Sequence, residues 1–320
     1  MHIQYIGAFL IAFVVSASLI PVLRRFAIKV DFVDKPVDIE RKLHKEPVPM
    51  AASIGIFISF FVAYLAFVPE VGWQTLAVSC GGLMILGIGL VDDWFKARRR
   101  DFPSLPKALV QIAAAVVAYF SGIVFTGFTN PFNGEMIVLP TALQFLLTVM
   151  WIFGVTTVIN FMDGLDGLAG GLASISSMTL FVVAVAKGQS GPAVMAIVLT
   201  GSALGYLIYN KYPAKAYMAD SGATFLGYIL AIVALSGAFK QVTFLSLFIP
   251  VLALGVPIFD NIFVVLKRIA NRQPINKGDT GQAHFRLLSK GLSQKQAVSF
   301  LLLINLCFCL LSIIILILKV

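Results

Sequence analysis

Charged residues are scarce in this sequence. They make up 12% of its 320 residues, about half the fraction of an ordinary soluble domain. Hydrophobic residues reach 59% and the mean hydropathy is +0.94. That balance excludes a water-soluble globular fold. Apolar runs of about 20 residues recur instead, the length at which a helix crosses a bilayer. Cysteine and histidine are also few. Cys80, Cys307 and Cys309 all lie inside apolar runs and read as small hydrophobes, which excludes a disulfide framework. His2, His44 and His284 are far apart, so no zinc-type spacing exists. There is no internal repeat or low-complexity tract, and no polar stretch is long enough to fold as a second domain.

What remains is an all-α polytopic transmembrane helix bundle, expected as a single integral membrane domain over 1–320. The apolar runs predict about ten spans: 3–23, 51–69, 73–91, 107–127, 141–160, 167–186, 191–209, 222–239, 243–266 and 297–318. The first run starts at Ile3 with no basic segment before it, and Arg24 and Arg25 follow it. A signal peptide has the reverse order, so this run is expected to stay as a helix.

The basic residues set the orientation. All 24 Lys and Arg except Lys187, Lys240 and Lys319 fall in four loops, after the first, third, seventh and ninth spans. The positive-inside rule makes those loops cytoplasmic and both termini outside. The net charge of +9 calls for no nucleic acid. Basic loops beside anionic lipid headgroups account for it, and a phosphate-rich substrate would use the same charges.

Most carboxylates lie on that same face. Only Glu70 and Glu135 fall outside. Asp92 and Asp93 end the third span and Asp260 lies within the ninth. A carboxylate inside a span costs about 2.5–3.5 kcal/mol on the insertion scale, so a functional role is the first hypothesis, against a helix-end group reaching for water. In Asn160-Phe161-Met162-Asp163-Gly164-Leu165-Asp166-Gly167 two Asp at i, i+3 are each followed by Gly. Glycine lets backbone amides come close to a phosphate or metal, although an ordinary Asx-capped turn uses the same residues. The segment 209–222 places Asn210, Lys211, Lys215 and Asp220 before the eighth span, where Asp220 is a natural N-cap. Several carboxylates, cations and glycine turns at one membrane face suit Mg²⁺ with a diphosphate, with Mn²⁺ as the alternative ion.

At these residues the chain resembles the polyprenyl-phosphate N-acetylhexosamine-1-phosphate transferase family, glycosyltransferase family 4. Five blocks carry the resemblance in order. They are Asp34-Lys35-Pro36 with Arg41-Lys42-Leu43-His44 and Pro47-Val48-Pro49; Gly89-Leu90-Val91-Asp92-Asp93 with Lys107 and Gln111; the 160–167 segment; the 210–222 segment; and 279–288, which looks like the family's histidine-containing loop. The first and third blocks look more like the N-acetylglucosamine branch, which starts wall teichoic acid or O-antigen (lipopolysaccharide) synthesis, than the muramoyl-pentapeptide branch. The chain departs from the family pattern at Ala51-Ala52 and Ala219, where many members carry Gly-Gly and Gly, and in Gly281-Gln282-Ala283-His284-Phe285-Arg286, where two of the three histidines of Gly-His-x-His-His-Arg are replaced.

The resemblance implies transfer of N-acetylhexosamine 1-phosphate, best matched as N-acetylglucosamine 1-phosphate, from a UDP-sugar to undecaprenyl phosphate. UMP leaves and a cell-wall glycopolymer begins, in the inner membrane of a bacterium. It implies catalytic roles for Asp92, Asp93 and Asp220, with Asp220 and Asp92 holding Mg²⁺. Substrate contacts are implied for His44, Lys107, Asn160, Asp163, Asp166, Asn210, His284 and Arg286. Family analogy adds a homodimer, with UDP-N-acetylhexosamine, polyprenyl phosphate and membrane lipids as partners. The alternative within the family is muramoyl-pentapeptide-phosphate transfer for peptidoglycan. Outside it stands a lipid or sugar transporter, which would claim Asp260 beside Pro257 at the midplane. Another membrane enzyme of isoprenoid or phosphoalcohol chemistry shares paired Asp residues but not the five blocks.

The orientation has a direct test. Cysteines introduced at Arg99, Lys215 and Lys277 are expected to react with an impermeant thiol reagent only after the inner face is exposed, and one at Gly134 from outside. Labelling at Arg99 in intact cells would reverse the assignment.

Overall fold

A computed structural model of the chain describes residues 2–36, 46–130, 135–238, 248–273 and 281–318. The helices are α1 (His2–Lys29), α2 (Ala52–Phe67), α3 (Trp73–Ala97), α4 (Ser104–Phe120), α5 (Thr141–Phe161), α6 (Leu168–Ala186), α7 (Ser190–Asn210), α8 (Ala219–Val233), α9 (Phe248–Ala253), α10 (Gly255–Ala270), α11 (Ala283–Ser289) and α12 (Gln294–Ile317). Two antiparallel ribbons accompany them: β1 (Val33–Asp34) with β2 (Val48–Pro49), and β3 (Gly127–Thr129) with β4 (Met136–Val138). Among the described residues, seven helices are long and apolar enough to cross a membrane: α1, α3, α5, α6, α7, α12, and α8 with the π-helical Ala234–Ala238 that continues it. The multi-pass, all-α reading therefore holds. Two further apolar helices, α2 and α4, are shorter, at 16 and 17 residues, and the described part of the ninth run is two helices, α9 and α10.

The break has a chemical cause. Pro257 has no N–H for the carbonyl of Ala253, so a continuous helix through 243–266 would strand that oxygen in an apolar interior. Here α12 takes over its bonding. Cys309 Sγ donates to Ala253 O (3.5 Å), Ser312 Oγ donates to Ile249 O (3.0 Å), and Val256 N–H donates to Asn305 Oδ1 (3.4 Å). Cys309 is thus more than an inert hydrophobe. The chain breaks at Leu254 and α10 leaves as a separate amphipathic helix, with Phe259, Ile262, Phe263 and Leu266 exposed.

At the centre stands α8. Thirteen of its fifteen residues are buried, the mark of a helix enclosed on every side. It packs on α2, α3, α5, α6 and α7. Its closest approach to α3 is at Gly89, where an added Cβ would lie 2.4 Å from Ser221 Cα. Small residues at such crossings let backbones meet in a membrane bundle. The loop entering α8 is tied to the first polar loop, since Tyr217 N–H donates to Pro49 O (2.8 Å) and Ala52 N–H donates to Tyr217 O (3.2 Å). Two segments more than 160 residues apart therefore share one end of the bundle.

Gly87, one half-turn earlier on α3, has open space where a Cβ would go. Gly89→Ala is expected to cost about 1–3 kcal/mol by overpacking, and Gly87→Ala to gain up to about 1 kcal/mol of helix propensity. Thermal unfolding of the two variants in detergent checks this. Equal midpoints would show that α3 and α8 do not meet there.

Candidate functional site

The last two turns of α3 present Asp92 and Lys96 four residues apart on one helix face, with Asp93 turned about 100° from Asp92. The loop entering α8 brings Asp220 against them, and α4 supplies Lys107. The two lysines bridge two carboxylates. Lys107 Nζ lies 2.8 Å from Asp92 Oδ2 and also bonds Asp220 Oδ2. Lys96 Nζ lies 3.2 Å from Asp92 Oδ2 and 2.7 Å from Asp220 Oδ1. From the end of α5, Asn160 Nδ2 donates to Asp220 Oδ2 (3.3 Å), while its Oδ1 is buried with no partner among the described residues.

Asp93 faces the other way. It is fully buried, and its carboxylate accepts from Asp220 N–H (3.1 Å), Ser221 N–H (3.1 Å) and Ser221 Oγ (2.6 Å). The first amides of a helix have no partners within it, and α8 has no side-chain cap of its own. Asp93 caps it from a neighbouring helix. This corrects the expectation that Asp220 is the cap: Asp220 sits inside the first turn with its carboxylate free for the site. The residue before it, Ala219, has φ of +50°. That left-handed conformation costs a non-glycine residue about 1–2 kcal/mol, which explains why glycine suits this position.

The other expected residues divide. Asp163 belongs to the cluster electrostatically, because burial and then the carboxylates of Asp220 and Asp93 push its pKa up to about 8. Asp166 braces the loop, accepting from Ala214 N–H (2.9 Å) and Tyr217 OH (3.2 Å). Asn210, also expected at the substrate, is buried with both ends engaged: Gly167 N–H donates to its Oδ1 (2.9 Å) and its Nδ2 donates to Ala216 O (3.1 Å). Arg286 is turned away from the carboxylate cluster, bonding Asp260 Oδ1 at 2.6 Å and lying over the Phe263 ring. Asp260 also accepts from Ala283 N–H, so it fastens α11 to α10 and is not a lone charge at the midplane. His284 is fully buried against the backbone of Gly164, and neither ring nitrogen has a partner among the described residues. His44 and Asp279 lie outside the described residues.

Lys96 and Ser221 were not singled out from the sequence. Lys96 stands four residues after Asp92, a spacing that could have flagged it; Ser221 gave no signal before its contact with Asp93 was seen.

The donor set suits a hard divalent cation. Oxygens of Asp92, Asp93 and Asp220 lie within 4.8 Å of one another. Since Asp93 is engaged with α8, the oxygens left to hold an ion are those of Asp92 and Asp220, with Asn160 Oδ1 alongside. Oxygen ligands of this kind, few and carboxylate-rich, are what Mg²⁺ takes when substrate phosphates complete its shell.

A family model described as glycosyl transferase family 4 matches residues 75–238, which contain Asp92, Asp93, Lys107, Asn160, Asp163, Asp166, Asn210 and Asp220. The chain is 36% identical over 306 residues to the "Probable undecaprenyl-phosphate N-acetylglucosaminyl 1-phosphate transferase" of Bacillus subtilis, covering 96% of this chain and 83% of that protein. It is 32% identical to the decaprenyl-phosphate N-acetylglucosaminephosphotransferase of Mycobacterium leprae, over 81% of this chain and 71% of the other. To the phospho-N-acetylmuramoyl-pentapeptide-transferase of Bacillus anthracis it is 29% identical, over 70% and 72%.

Burial, reinforced by Arg286, holds the pKa of His284 down at about 4. The unfolded chain takes up a proton near pH 6.5 and the folded one only near 4. Stability therefore falls as pH drops from about 6.5 to about 4. His284→Gln is expected to remove that part of the slope. Unfolding midpoints of the two proteins across this range check it; parallel curves would place the ring in water.

Proposed function

The chain belongs to glycosyl transferase family 4, and we propose that its carboxylate–lysine site transfers N-acetylglucosamine 1-phosphate from UDP-N-acetylglucosamine to undecaprenyl phosphate. The observation that carries this reading is the pair Asp92 and Asp220 bridged by Lys96 and Lys107 at one end of a membrane bundle. Both substrates are anionic, and the barrier to their reaction is mostly electrostatic. The chain is a membrane-bound sugar-1-phosphate transferase by family; the sugar, the lipid and the ion are the proposal. The branch is favoured by the greater identity and coverage of the Bacillus subtilis relative over the pentapeptide transferase.

In the reaction an oxygen of the lipid phosphate attacks the sugar-proximal phosphorus of the UDP-sugar. The bond from that phosphorus to the bridging oxygen breaks, and the electron pair leaves with UMP. A phosphate monoester has a second pKa near 6 and is mostly dianionic at about neutral pH, so the attack needs no protein base. This relieves Asp93 of that role and leaves it as the positioning residue of Asp220. Asp92 and Asp220 would hold Mg²⁺, with Asn160 Oδ1 beside them, and the ion supplies charge neutralisation between the phosphates. Lys96 and Lys107 compete with a cation for the same carboxylate oxygens. With a cation held there, their ammonium groups would be free to pair with phosphate oxygens. Asp163 ionises more readily once positive charge is added. The site faces the cytoplasm in this reading, both termini lie outside, and the product starts an envelope glycopolymer.

Chelation is expected to abolish turnover and Mg²⁺ to restore it. Asp220→Asn should lower kcat by about 10² or more, as loss of one electrostatic group in a preorganised site does, while leaving the unfolding midpoint nearly unchanged. With UDP-N-acetylglucosamine and UDP-N-acetylmuramoyl-pentapeptide competing for one lipid acceptor, the N-acetylglucosamine product should dominate. Preferential formation of the pentapeptide lipid would overturn the sugar assignment and leave the reaction class intact.

A further inference from the structure

A second concave feature lies at the same end of the bundle, on the far side of the 160–167 loop. It is a groove of about 520 Å³ between α6, α7 and α12, within the size range of small-ligand sites. Its walls are apolar: Leu204, Leu207 and Ile208 from α7, Val298 and Leu302 from α12, with Gly171 of α6 opening the floor. Its rim is cationic. Lys211 follows the last residue of α7 and Lys295 lies in the first turn of α12, both exposed. Among the described residues neither forms an ion pair. Lys295 lies 5.5 Å from the centre of the Tyr212 ring, which also lines the groove. The remaining charged residue of the lining, Asp166, is turned to Ala214 N–H and Tyr217 OH, and with the two lysines it leaves the lining one positive charge in excess.

The depth of the groove fixes what kind of molecule meets it. The capping box at Ser293 and Gln296 marks where α12 begins, and α7 ends at Asn210. The lysines are therefore at the ends of two helices long and apolar enough to span a bilayer; in the proposed membrane placement they would lie at headgroup level, with the apolar walls toward the hydrocarbon. Lysines near an anionic membrane surface attract its headgroups, and an apolar slot below them suits an alkyl chain.

We propose that this groove binds an anionic phospholipid of the surrounding bilayer, its phosphate between Lys211 and Lys295 and one acyl chain along Leu204, Leu207, Val298 and Leu302. The site is separate from the Asp92–Asp220 cluster and uses none of its free groups. Through Asp166 and Gly167 it backs onto the loop that leads into α8, so an occupied groove braces the segment between Asn210 and Asp220.

Native mass spectrometry of the full chain in detergent tests this with phosphatidylglycerol and phosphatidylcholine of matched chains. Phosphatidylglycerol is expected to be retained about tenfold or more over phosphatidylcholine. The double variant Lys211→Gln with Lys295→Gln should bring the two lipids level, whereas Leu204→Trp, which fills the slot, should lower both. A phosphatidylglycerol with a photoreactive chain should crosslink to residues 204–208 or 298–302. Undecaprenyl phosphate at equal concentration should leave the adduct in place. Unchanged retention in the double lysine variant, crosslinks confined to other helices, or displacement by undecaprenyl phosphate would overturn the proposal, and none of these results bears on the transferase reaction.

Discussion

The bond from Asp93 to the start of α8 is the contact on which the site depends. A helix that begins inside a membrane protein exposes amides that lipid cannot satisfy, and α8 begins with no cap of its own. Asp93 answers with one carboxylate and three accepted hydrogen bonds. Hydrogen bonds to a charged group are worth about 1.5–3 kcal/mol each, against the cost of leaving the α8 amides unsatisfied. The same bonds aim Asp220. With its backbone N–H held by Asp93, its side chain projects toward Asp92, Lys96 and Lys107. A structural cap and a chemical site are thus two ends of one turn of helix.

Charge balance follows from that placement. Asp92, Asp93, Asp163 and Asp220 bring four carboxylates to one region, and Lys96 and Lys107 supply two cations. The deficit is met in part by Asp163, whose pKa is raised to about 8. In the proposed reaction that imbalance would favour a bound cation, and the cation would release the lysines to anionic substrates.

Around this centre, the remaining polar residues serve as fasteners between segments distant in sequence. Asp166 and Asn210 join the 160–167 loop to the 209–217 loop, Tyr217 joins that loop to Pro49, and Asp260 joins α10 to α11 through Arg286 and Ala283. Unpaired polar groups are costly in an apolar interior, so each such pair strongly constrains which segments can lie side by side. His284 departs from this pattern, buried against Gly164 with both ring nitrogens unpartnered among the described residues. Its depressed pKa keeps it neutral at physiological pH.

Much of this was legible in the chain itself. Hydropathy and the distribution of Lys and Arg depend on local composition, so the helical membrane class followed from them without any contact being known. The paired Asp92-Asp93 and the Asp-Gly repeat at 163–167 marked chemistry because carboxylates are expensive near a bilayer. What composition could not decide was which carboxylate does what. Asp92 and Asp93 are adjacent in sequence, yet on a helix neighbours diverge by about 100°, so one faces the lysines and the other faces the amides of α8. The break at Leu254 depended likewise on Asn305 and Cys309 standing opposite Pro257, about 50 residues later. Lys96 pairs with Asp92 within α3, but its bridge to Asp220 exists only because Asp220 arrives from another helix. Local sequence sets which groups are costly to bury; the tertiary structure alone decides which partner relieves each cost, because that partner comes from elsewhere in the chain.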